Sequence, residues 1–141
     1  MLSNWLFWAI LSASFAALTA IFAKVGLQGV DSDFATLIRT VLIVLILLAW
    51  VSFLGKWQNP LWLSRKTWLF LSLSAVATGA SWLCYFRALQ MGHASQVAPV
   101  DKLSVVLVAI FAVIFLGERP SGQEYAGIAL ITTGVLMIAL K

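Results

Sequence analysis

The stretch VAPVDKLSVVLVAIFAVIFLGE, residues 97–118, sets Asp101 and Lys102 side by side just ahead of a 14-residue uncharged run, Leu103–Leu116. A carboxylate and an ammonium in such surroundings need a partner, and such groups commonly take up a proton, a cation or a charged solute. Three other cations resemble them in setting. Lys24 closes an apolar run, Arg87 closes another, and Arg39 interrupts a third. Asp101 is expected to pair with Arg39 or Lys102 at the edge of a watery cavity, with Ser104 offering a hydroxyl close by. Trp82, Tyr85 and Phe86 precede Arg87. They could wall a pocket for an organic cation or a ring, or form an interfacial aromatic belt. Gly117, Glu118 and Pro120 mark a hinge whose charged residues could gate access or simply form a solvated turn.

What must position these residues follows from composition. Of the 141 residues, 62% are hydrophobic and 10% charged, with a mean hydropathy of +1.02. A soluble domain is about half apolar and about a quarter charged. This chain cannot cover itself with polar surface, so it belongs in a membrane. The net charge of +4 rests on few charges and is no signal for nucleic acid. The single cysteine, Cys84, permits no internal disulfide and is expected to be a small buried hydrophobe.

A helix needs roughly 20 apolar residues to cross ~30 Å of hydrocarbon. Five stretches qualify, at about 5–23, 34–54, 67–86, 98–116 and 122–140, which makes an all-α membrane protein of five spans occupying residues 1–141. The first is expected to be retained rather than cleaved, because MLSNW ahead of it carries no Lys or Arg. Span two must begin near Phe34, since Thr40–Leu54 is only 15 residues. That puts Arg39 about five residues in, roughly 8 Å along the helix. Pro99 is expected to open span four, leaving Asp101 in its first turn, where an acid complements the helix dipole. Between spans four and five, Gly117 can end a helix, Pro120 blocks its continuation, and SGQE (Ser121–Glu124) fits a capping box. Small residues at helical spacing, such as Ala75 with Gly79 and Gly127 with Gly134, would allow close helix contacts.

An odd span count puts the termini on opposite sides. Lys56, Arg65, Lys66 and Arg119 fall on the N-terminal side, and Lys24, Arg39, Arg87, Lys102 and Lys141 on the other. The positive-inside rule therefore gives only a weak bias. The compact group at 55–66 favours a cytoplasmic N-terminus, and the near balance permits insertion both ways. Trp5, Trp8, Trp50, Trp57, Trp62 and Trp68 gather on the N-terminal side as an aromatic belt, with KWQNPLWLSRK along the headgroups.

No metal-ligand spacing, Gly-rich phosphate loop or nucleophile-base set stands out, so no enzyme activity, metal or cofactor is expected. FAKVGL, ATLIRT, FRALQMGHASQVAPV, IFLGE and GIALITTGVLMI, in that order, resemble the EamA domain of the drug/metabolite transporter superfamily, and PVDKLS resembles the fourth-span motif of its five-span members. The resemblance implies one half of a ten-span architecture built from two inverted halves. It implies a carrier moving a small metabolite or drug-like molecule across a bacterial inner membrane by alternating access. A homodimer, antiparallel in arrangement, would complete it. Two other readings stay open: a non-catalytic subunit docking onto a larger transporter or lipid-modifying enzyme, and a passive pore.

Overall fold

The computed structural model describes residues 4–140, all helix, turn and loop; Lys141, counted among the charges above, lies outside them. The helices are α1 (Asn4–Gly26), α2 (Ser32–Phe53), α3 (Arg65–Met91), α4 (Ala94–Asp101), α5 (Ser104–Phe111) and α6 (Gly122–Ala139), with a 3-10 turn at Pro60–Trp62 and a π turn at Ala112–Leu116. Taken with the π turn, α4 and α5 make one interrupted span, so five segments are long and apolar enough to cross a bilayer. Large apolar side chains such as Phe15, Leu45, Phe70 and Leu130 are exposed along them. That suits a chain whose solvent is hydrocarbon and whose backbone groups are satisfied within helices. Hydroxyls are satisfied the same way: Thr36, Thr40, Ser52, Thr132 and Thr133 each donate to the carbonyl four residues back.

Helix ends follow local chemistry rather than charge. Asp31 caps α2, its carboxylate accepting from the Asp33 and Phe34 amides at 3.0 Å each, so α2 begins at Ser32, ahead of the expected Phe34. Lys24 and Arg87 do not end their helices. α1 continues to Gly26 and α3 to Met91. A cation near a span end marks the interface, whereas a helix stops where backbone or caps demand it. The Ser121 capping box is present: its amide donates to Glu124 Oε2 at 2.6 Å, and the Glu124 amide to Ser121 Oγ at 3.3 Å.

The chain forms two compact units. In the first, residues 1–21 and 92–141, α6 packs against α4 and α5. Ala112 and Val135 are buried there. In the second, Phe22–Met91, α2 packs on α3, with Leu27, Thr36, Phe86 and Leu89 buried. A Cβ at Gly79 would meet no atom within 4 Å, so this glycine serves no close approach of α2 to α3. Cys84 is exposed rather than buried, on the face of α3 left to lipid or a partner.

Candidate functional site

In the first unit the charged pair sits at a break in a span. Pro99 does not open the helix; α4 starts five residues earlier at Ala94, after His93, whose side chain makes no capping hydrogen bond. Inside a helix, proline lacks an N–H and crowds the preceding turn. Beyond Pro99 the ladder tightens to i→i+3 spacing: the Lys102 amide donates to Pro99 O, Leu103 to Val100 O, Val105 to Lys102 O and Val106 to Leu103 O, each at 3.0 Å. α4 ends at Asp101, and Ser104, exposed, opens α5. Asp101 and Lys102 occupy the break and pair with each other at 3.3 Å. Lys102 is therefore the partner that Asp101 takes. The span ends in the π turn, where the Gly117 and Glu118 amides both reach Ala112 O and Gly117 takes φ +67°. Only glycine adopts that value without strain. Glu118 is exposed and Pro120 half-buried in the turn that follows.

The second unit gathers the other cations around the last turns of α3. Lys24 Nζ donates to Leu89 O. Arg87 Nη2 pairs with Asp33 Oδ2 at 2.8 Å, joining α3 to the first turn of α2. Gln90 Nε2 donates to Val30 O, also at 2.8 Å. Leu89, between Arg87 and Gln90 in sequence, has no exposed surface. The guanidinium carbon of Arg39 lies over the Trp82 ring at 4.5 Å and the Phe86 ring at 5.2 Å. Trp82 and Phe86 are four residues apart on α3, so their rings share one face. The aromatic wall expected for an organic cation thus already holds a cation of the chain's own. Tyr85 lies beside Phe86, ring centroids 6.5 Å apart.

Asp33 and Gln90 are absent from the sequence-based set. Asp33 was recoverable: the start of span two and the end of span three lie on one side of the membrane, where an acid and Arg87 have reason to meet. An open groove of about 580 Å³ runs between α2 and α3, lined by Asp33, Thr36, Thr40, Ser74 and Thr78 among apolar residues, with Trp82 at its side.

Five spans, one of them broken at an ionic pair, define a multi-pass helical membrane protein. Residues 3–140 match the EamA-like transporter family, and the chain belongs to that family. In a bacterium such a protein resides in the inner membrane. The chain is 57% identical over 140 residues to an uncharacterized transporter in the cobO 3' region of a Sinorhizobium species, covering 99% of both proteins. It is 25% identical over 142 residues to the uncharacterized transporter YxxF of Bacillus subtilis, where all of this chain spans 44% of that protein. It is 30% identical over 86 residues, 59% of this chain and 74% of the other, to a probable 4-amino-4-deoxy-L-arabinose-phosphoundecaprenol flippase subunit, ArnE, of Yersinia pestis. No solved structure matches.

Proposed function

We propose that the chain is one five-span half of a carrier that moves a small metabolite or drug-like molecule across the inner membrane by alternating access, working as an antiparallel homodimer. One observation carries the reading. The chain has an odd number of spans, and its whole length aligns with 44% of a longer transporter. A second copy fused after five spans enters the membrane inverted, and an unfused one needs an oppositely oriented chain to the same end. The broken fourth span supports a site at Asp101, because carriers place binding groups where a spanning helix is interrupted. Asp101 then responds to a proton or cation, and Lys102 and Arg39 tune it or hold a charged solute. Purification in mild detergent tests the assembly. A mass of two copies supports the carrier, and a stoichiometric foreign polypeptide refutes the homodimer.

The likeness to a flippase subunit favours one second reading, in which the chain is the non-catalytic partner of another membrane protein handling a lipid-linked sugar. The same purification distinguishes it, since only this reading expects the foreign polypeptide.

A further inference from the structure

Each neighbouring cation of the second unit reaches an oxygen: Lys24 the Leu89 carbonyl, Arg87 the Asp33 carboxylate. No oxygen is seen to accept from Arg39 among the described residues: its guanidinium lies over the Trp82 and Phe86 rings, with Tyr85 close enough to act on its charge. Yet it lies within the candidate span Ser32–Phe53, seven residues beyond Ser32, which is roughly 10 Å along the helix. A guanidinium there stays charged and carries five N–H donors in a planar fork. Ring contact stabilises the charge but satisfies none of those donors, and an unbonded donor in apolar surroundings is costly. The rings therefore hold Arg39 in place while its fork stays open. Arg39 is half-buried, so part of the residue is open to a ligand. Beside it, the α2–α3 groove of about 580 Å³ shares Trp82, and its mostly apolar walls can take an organic body.

We propose that Arg39, clamped on Trp82 and Phe86, is the receptor for an oxyanion, a phosphate or carboxylate, whose organic body lies along the α2–α3 groove. The fork takes two oxygens of the anion at once, a geometry that lysine cannot match. The anion belongs either to a soluble organic solute or to a lipid headgroup. This rests on the carrier reading only in making the anion cargo; binding itself is independent of transport.

The test is thermal unfolding of the purified full-length chain in an uncharged detergent, titrated with phenyl phosphate, with phenol as neutral control, and with dihexanoyl phosphatidic acid. Phenyl phosphate is expected to stabilise the protein where phenol does not. Apparent affinity should fall at least about tenfold in Arg39→Gln, the range expected for a charged hydrogen bond. It should fall less in Arg39→Lys and not at all in Arg65→Gln, which removes the same charge at the far end of α3. Stabilisation by phosphatidic acid alone, still dependent on Arg39, assigns the site to a lipid headgroup. Stabilisation by neither anion, or an equal loss in Arg65→Gln, overturns the proposal. Should Arg39→Gln not fold, phenylglyoxal modification of the wild type is read residue by residue: the binding anion must slow modification of Arg39 and not of Arg65, and equal rates contradict the site. Anion binding without transport in proteoliposomes would refute the carrier reading alone. Transport with no anion effect would refute this inference alone.

Discussion

The break in the fourth span and the clasp at the end of α3 both hold a carboxylate against a cation, and they do different things with it. Asp101 and Lys102 are neighbours in sequence, so their contact fastens no second element and leaves both side chains accessible. Asp33 and Arg87 are 54 residues apart, and their contact ties α2 to α3 close in sequence to the fully buried Leu89. The first pair marks a place where a span is open; the second closes a helix pair. Charge in a membrane chain therefore has two uses. Which one applies depends on whether the partner is local or distant, and the identity of the residues does not reveal it.

The comparison can be broken at several points. The largest effect is expected in the clasp. Leu89→Ala should cost about 2–5 kcal/mol, because a fully buried leucine leaves a cavity, measured as thermal stability in detergent. A loss well below 1 kcal/mol would mean that α2 and α3 are held elsewhere. The second effect is functional. Asp101→Asn should lower the transport of a panel of small metabolites from proteoliposomes by about tenfold or more while leaving the unfolding temperature near that of the wild type. Equal loss of stability and transport would make Asp101 structural. The third is a double-mutant cycle on Asp33 and Arg87. With side chains 48% and 63% exposed, the coupling is expected to be about 1 kcal/mol or less, yet measurable. The smallest effect belongs to the same cycle on Asp101 and Lys102, whose long, exposed contact joins chain neighbours and should couple by only ~0.3 kcal/mol, the low end for exposed pairs. If the order of the last two reverses, the contrast between the regions fails.

How far the sequence reaches can be traced along individual residues. The five spans were legible, because an apolar run of membrane length has few other uses. Their ends were not. Lys24 and Arg87 signal where headgroups lie, while α1 and α3 run on past them to Gly26 and Met91. Pro99 read as an opener of span four, because proline suits a first helical turn. The structure instead places it inside α4, just ahead of the break. Arg39, Trp82 and Phe86 were each legible as unusual. Their meeting was not, because it depends on which faces α2 and α3 turn to one another, and nearly uniform apolar helices do not encode that in sequence spacing. Asp33 was overlooked for a related reason: its partner lies two spans and a loop away along the chain.

The central claim is an inverted pair of identical chains, and orientation tests it most directly. In a Cys84→Ser background, Gln58→Cys supplies one thiol in the loop between α2 and α3, and intact cells are treated with a membrane-impermeant thiol reagent. The account predicts labelling near half, rising to completion on lysis, because half of the chains present this loop outward. Labelling that is absent, or already complete, before lysis would place every chain the same way up and contradict the antiparallel homodimer.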